Sequence, residues 1–205
     1  MTPLERFEAL VLNQTSAAAP WEPVTDYSFE ARTAIEGKHP QLIKDVFQPA
    51  RVLDAGCGVQ GHLVRLLREL GLSATGFDKS IEWPTRYLSY GCVTWPIDDE
   101  ETDYPDLVIC REVLEHLTVR DVARAVRHLC GRSSRYVYVT TRFAKHPQHI
   151  LDVDTSDDLD PTHISMLHQD FLRVLFVLEG FKRRADLEAR MDWQQKGRCL
   201  VYERV

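Results

Sequence analysis

In VLDAGCGVQGHL, Val52 to Leu63, apolar β-forming residues run into an aspartate, then glycines at 56, 58 and 61, then an apolar-periodic segment. That order reads as strand, tight turn and helix. Gly56 and Gly58 allow a turn that residues with a Cβ resist, and they let another molecule approach the main chain. The helix opening near Gly61 brings N–H donors to the same turn. Those donors and the helix dipole favour an anionic group there.

The alternation continues along the chain. ARVLDA reads as a buried strand, and HLVRLLREL as a helix with Leu63, Leu66, Leu67 and Leu70 inward, ended by Gly71. LSATGFD is a second strand, residues 81–90 are helical after Pro84, and CVTWPI is a weak third strand. PDLVIC is a clear fourth, followed by helices in EVLEHL and VRDVARAVRHLC, and SRYVYVTT is a fifth. Residues 142–164 read as a polar loop, and residues 165–179 as an apolar helix that Gly180 stops. FKRRADLEARM and GRCLVYERV read as two last strands joined through DWQQKG. Upstream, residues 3–13 and 27–47 are helical in pattern, the second with a break expected at Gly37 to Pro40. Strands alternating with helices mean an α/β fold. Its sheet is mostly parallel, covered on both faces and joined by right-handed crossovers, and it closes in an antiparallel hairpin. Ligands of such sheets lie at the carboxyl ends of the strands.

A chain of 205 residues suits one compact domain, which buries about 70% of its unfolded surface and needs no covalent staples. The five cysteines, Cys57, Cys92, Cys110, Cys130 and Cys199, are odd in number and form no CxxC pair. They are expected as reduced thiols in a cytoplasmic protein. The first residues include Glu5 and Glu8 and lack the apolar core of a signal peptide, and no apolar run reaches membrane-span length. The formal net charge of −6 removes a global basic field for nucleic acid, though not a local patch.

Asp54 ends the first strand and Asp78 the second, in TGFDKS. Asp54 can receive an ammonium group or accept loop N–H bonds. Asp78 follows at close to the spacing of about 20 residues at which a carboxylate grips ribose hydroxyls. A nucleoside ligand is implied. The glycines fit G-x-G-x-x-G, so by themselves they leave a dinucleotide open.

VLDAGCG, then GFDKS, then PDLVICREVLEHL together resemble the class I S-adenosylmethionine-dependent methyltransferases, as do DPTHI and EGF near the end. The resemblance covers about residues 50–205. It implies a Rossmann-like, doubly wound, seven-stranded sheet, with residues 49–205 as the cofactor-binding domain and residues 1–48 as helices capping the active site. It implies that Asp54, Gly56, Cys57, Gly58 and Gly61 line the methionine and ribose part. Asp78 would hold the ribose diol, Lys79 and Trp95 would meet the adenine, and Cys110 and Arg111 would pass close to the amino-acid end and the acceptor. Gln60 stands where the family usually has glycine, in a position to crowd or contact the methionine end.

A sulfonium already carries an activated methyl group, so such an enzyme mainly aligns acceptor and methyl. A general base is needed only for an acceptor that holds its proton tightly. His116, His163 and Arg111 are the candidate catalytic residues. Glu112, Glu115 and His116, at helical i, i+3 and i+4, share one face if EVLEHL is helical. With His163 they resemble the divalent-metal set of small-RNA terminal-ribose methyltransferases and of ubiquinone-pathway O-methyltransferases, suited to Mg or Mn through oxygen and to Fe, Co or Zn through nitrogen. In many members of the resembled family EVLEH needs no metal, and the same residues order the helix start and the nearby loop. The loop from Arg142 to His163, rich in aspartate and histidine, reads as a solvated loop or as a lid that repels polyanions.

Three functions remain open, together with a distant fourth, a dinucleotide oxidoreductase. The first is methyl transfer to oxygen or nitrogen of a small-molecule acceptor. The second is a metal-dependent RNA ribose 2′-O-methyltransferase. The third is a non-catalytic binding or scaffold protein on the same fold.

Overall fold

The structure is a computed structural model of the 205-residue chain. It describes residues 29–58, 61–78, 92–93, 104–144, 151–152 and 163–205, with only the backbone at 29–37, 92–93 and 151–152. The expected helices at 3–13 and 81–90, Lys79, Trp95, Gln60 and most of the acidic loop lie outside these residues.

The chain enters through helix α1 (Phe29–Phe47). Strand β1 (Arg51–Ala55), helix α2 (His62–Glu69), β2 (Ser73–Phe77) and β3 (Cys92–Val93) follow. Next come β4 (Leu107–Arg111), a 3-10 turn (Leu114–His116), α3 (Val119–Arg132) and β5 (Tyr136–Thr140). The last third holds the short pair β6 (Leu151–Asp152) and β7 (Met166–Leu167), α4 (Gln169–Leu178), β8 (Phe181–Arg183), α5 (Ala185–Met191) and β9 (Cys199–Arg204).

Seven strands form one sheet in the order β3-β2-β1-β4-β5-β9-β8. The pairs from β3 to β5 are parallel, and β9 runs antiparallel to both β5 and β8. The strand order reverses between β1 and β4. Their carboxyl ends therefore diverge into the crevice where such sheets take ligands.

Both faces are covered, as the continuous apolar run of β4 requires. Leu53, Ala55, Val108, Cys110, Val137 and Val139 pack against α3 and α4 through Val122, Val126, Leu172 and Phe176. Val52, Leu107, Ile109, Tyr136, Tyr138 and Val201 pack against α1, α2 and α5 through Ile43, Phe47, Leu63, Val64, Leu67, Leu187 and Met191. No helix among the described residues is long and apolar enough to cross a membrane. Cys57, Cys110, Cys130 and Cys199 are free thiols.

Four local expectations need correction. Helix α1 runs unbroken through Pro40, because Ile43 and Phe47 seat its second half in the core. The inward face of α2 is Leu63, Val64 and Leu67, with Leu66 and Leu70 only half-buried. The expected helix at residues 165–179 begins at Gln169, after β7, with His168 Nδ1 accepting the Asp170 N–H at 3.2 Å. The segment FKRRADLEARM is a strand for three residues only. Leu187 and Met191, four apart, turn its remainder into α5. The antiparallel pair β8 and β9 is present, but a helix joins it. Glu188 fastens that helix: its buried carboxylate takes Arg183 Nε at 2.8 Å and Nη2 at 2.6 Å.

Candidate active site

The glycine turn at the end of β1 is built by backbone bonds. Gly56 and Cys57 donate their N–H groups to the Phe77 carbonyl at 2.8 and 3.1 Å. Gly61 donates to Gly58 O at 3.2 Å and sits in the left-handed region, φ 54°, as the residue before α2. A Cβ on Gly56, at φ 84°, would run into the Val113 side chain. A Cβ on Gly58 would meet no described atom within 4 Å, so that side of the turn faces open space.

Asp78 closes the turn from β2. The Gly58 N–H donates to Asp78 Oδ2 at 2.9 Å. The loop-holding role considered for Asp54 thus falls to Asp78. Asp54 is 4% exposed and makes no side-chain hydrogen bond among the described residues. Burial pushes its carboxyl up to about 7, opposed by the Arg111 guanidinium and reinforced by Asp78. Cys57 is half-buried beside the turn. Cys110 is 1% exposed within the α3 and α4 core. The sequence expectation that Cys110 meets the ligand is therefore narrowed to its backbone. Burial also raises its thiol well above the usual range. Arg111, the last residue of β4, is half-buried.

The second group of candidates follows β4. EVLEHL is not a helix. Glu112 sits in the left-handed region at φ 50°, its N–H held by Thr140 O at 2.8 Å. Only Leu114–His116 make a helical turn, and it is a 3-10 turn. The helical register expected for Glu112, Glu115 and His116 therefore does not exist. The Glu112 side chain is 42% exposed and lies 4.0 Å from Arg142 Nε.

Glu115 is fully buried. Thr141 Oγ1 donates to its Oε2 at 2.8 Å, while its Oε1 has no hydrogen-bond partner among the described residues. Burial, with the Glu112 carboxylate nearby, pushes Glu115 up to about 8. Its main-chain carbonyl accepts from Ile164 N at 2.9 Å and Ser165 N at 3.0 Å. Those two bonds pull the late segment onto the turn and bring the His163 and His116 rings to 4.7 Å between centroids. Ligand atoms of Glu115, His116 and His163 all lie within 4.8 Å of one another. Glu112 is not in that group, which corrects the four-residue set to three. Two imidazoles and one carboxylate suit nitrogen-preferring divalent ions better than Mg, and Glu115 would have to give up its proton to bind one.

Two residues of this region escaped the sequence reading. Thr141 follows β5 directly, and its position after a strand was the only signal. His39, in the expected helix break, is 4% exposed and meets Tyr138 Oη through Nε2 at 3.0 Å.

A family profile described as a methyltransferase domain matches residues 29–185. The chain belongs to this family. No curated protein matches the methyltransferase chain by sequence. Among solved structures, it is similar to magnesium protoporphyrin IX methyltransferase from Synechocystis PCC 6803 with bound S-adenosylhomocysteine, at 20% identity and TM-score 0.59, covering 85% of this chain and 84% of that one. The plantazolicin methyltransferase BpumL, also with S-adenosylhomocysteine, is similar at 14% identity and TM-score 0.60, covering 98% and 96%. The [4+2]-cyclase SpnF shares the fold at 14% identity and TM-score 0.55, covering 84% and 81%. At these identities the likeness is one of fold.

Proposed function

We propose that the chain transfers a methyl group from S-adenosylmethionine to an oxygen or nitrogen of a small molecule. The observation that carries this reading is the Gly58–Asp78 bond at 2.9 Å. It gathers a glycine turn, a helix start and a carboxylate at the carboxyl end of the sheet, beside the buried Asp54. A nucleoside with an amino-acid tail needs that set. Asp78 holds the ribose hydroxyls and Asp54 receives the ammonium, with Lys79 and Trp95 assigned to the adenine. Structures of similar proteins hold S-adenosylhomocysteine.

When bound, this cofactor supplies a methyl group already activated on a sulfonium. The chain's residues must then bind, align and exclude water. Near neutral pH, Glu115 is a neutral acid, so a proton leaving an acceptor hydroxyl goes to His116 or His163. A cap over the acceptor is proposed for residues 1–48, of which the structure describes 29–48. The net charge of −6 and the acidic loop favour an acceptor without a long polyanionic chain.

The Glu115, His116 and His163 cluster favours a second reading, a metal-dependent RNA ribose 2′-O-methyltransferase. There the three side chains hold a divalent ion that activates a hydroxyl as nucleophile.

Labelled S-adenosylmethionine, incubated with the protein and separate small-molecule and RNA fractions of a cell extract, with and without EDTA, decides between them. Transfer to the small-molecule fraction that survives EDTA supports the first reading. Transfer to RNA that EDTA abolishes replaces it with the second. No transfer to either fraction leaves the non-catalytic reading.

A further inference from the structure

The outer surface of α3 and α4 differs from the rest of the chain in both polarity and charge. Leu172 and Phe176 bury one side of α4 in the core with Val122 and Val126 of α3. The other side of α4 carries Val174, Val177 and Leu178 at i, i+3 and i+4, a spacing that gathers them into one crest. They are 54%, 59% and 74% exposed, and they are three of the five large hydrophobic residues exposed among the described residues. An isolated exposed aliphatic residue needs no explanation, but a contiguous row marks a contact surface.

Cations run beside that crest. Arg127 of α3 meets Glu179, the residue after α4, at 3.3 Å, so the C-terminal halves of the two helices lie side by side. The exposed face of α3 presents Arg120, Arg124 and Arg127 at i, i+4 and i+7. The side chains of Arg124 and Arg127 are 71% and 75% exposed. The acids of this surface are Asp121, Asp170 and Glu179, which lie 3.5 Å from Arg124, 2.5 Å from Arg173 and 3.3 Å from Arg127. Exposed pairs of this kind are weak and exchange for other anions. With Arg120 and Arg132, the surface sets five arginines against those three acids, in a chain whose net charge is −6. An anionic surface therefore repels most of the molecule and draws this face toward itself.

We propose that the crest of α4 and the arginines of α3 dock the protein reversibly on an anionic lipid surface. Val174, Val177 and Leu178 enter the boundary between headgroups and acyl chains, and Arg120, Arg124 and Arg127 meet the lipid phosphates. This is a contact with the surface, not a span. Each of the two signals is weak alone, and together they hold the protein. A second copy of the chain fits less well. Three short aliphatic side chains fall below the ~800 Å² that each partner gives to a stable dimer. A symmetric contact would also set these arginines near those of the partner. Side chains as exposed as Leu178 form knobs, which suit a surface that deforms around them. The outer faces of α3 and α4 point away from the sheet, so docking leaves the crevice between β1 and β4 open.

The test is sedimentation of the full chain with vesicles of phosphatidylcholine alone and of phosphatidylcholine mixed with phosphatidylglycerol. Wild type is expected to sediment with the mixed vesicles at low salt, to be released by high salt, and to ignore phosphatidylcholine alone. Two double variants, Val177→Ser with Leu178→Ser and Arg120→Gln with Arg124→Gln, should each weaken binding about tenfold or more while the thermal melt is unchanged. Ala123→Lys, on the same exposed face, should tighten binding about fivefold, a gain that no folding defect produces. Absence of binding to the mixed vesicles, equal binding to both kinds, or binding that both double variants retain in full overturns the proposal. So does a dimer in analytical ultracentrifugation that Val177→Ser with Leu178→Ser dissolves, which would assign the crest to a second copy.

Discussion

Glu115 shows how burial sets a residue's chemistry. Its carboxyl is raised from an ordinary 4.5 to about 8, so the folded protein holds a proton that the unfolded chain releases. The contribution to stability is fully present below about pH 4.5 and is lost as pH rises through about 8. Melting temperature followed across that window should fall more steeply for wild type than for Glu115→Gln. Identical slopes would mean that the carboxyl is not neutral in the fold. The two glycines of the turn should separate by the same logic of surroundings. Gly56→Ala forces a Cβ against Val113 at φ 84° and should lower the melting temperature. Gly58→Val points into open space at φ 66°, costs about 1–2 kcal/mol of backbone strain and keeps the fold. It should lose nucleoside binding by filling the space the ligand needs. Normal binding by Gly58→Val would place the ligand elsewhere.

At the scale of elements, capping sets the position of α3 against the active-site turn. Thr118 Oγ1 accepts the Asp121 N–H at 3.3 Å and donates to Asp121 Oδ2 at 2.7 Å. Thr118→Ala should cost about 1 kcal/mol in a urea titration; no change in midpoint would mean that the cap is redundant with packing of Val119 and Val122. This scale is also where sequence and structure part. The strands β1, β2, β4 and β5 were legible because buried parallel strands are short apolar runs bounded by turns. EVLEHL was not, because its apolar spacing suits a helix while the backbone turns sharply at Glu112, φ 50°, to follow the end of β4. Spacing alone therefore put Glu112, Glu115 and His116 on one helical face, and the turn replaces that face with a different arrangement in which the Glu112 carboxylate still lies near Glu115. Helix α5 was hidden because it is short, it buries a charged residue, Glu188, on its inner face, and only Leu187 and Met191 give that face an apolar period. The places of candidate residues were legible where they depend on strand ends: Asp54 lies near the end of β1, Asp78 directly follows β2 and Arg111 ends β4. His39 was not, because its place depends on how α1 packs across the sheet, which no local pattern reports.

Across the whole molecule, the candidate residues converge on one crevice. The reversal of strand order between β1 and β4 opens it, the glycine turn lines it and Asp78 latches that turn. Helix α1 covers the face that carries Asp54 and Arg111, and its second half, through Ile43 and Phe47, is built into the core that supports the site. Binding there should stabilise the entire fold by mass action, raising the melting temperature with ligand concentration. The most direct measurement is calorimetric titration of S-adenosylhomocysteine into wild type and Asp78→Ala. The expected result is saturable one-to-one binding by wild type, weakened by about 1.5–3 kcal/mol in a folded Asp78→Ala protein. No binding by wild type, or equal binding by both proteins, would contradict the assignment of the crevice to this cofactor.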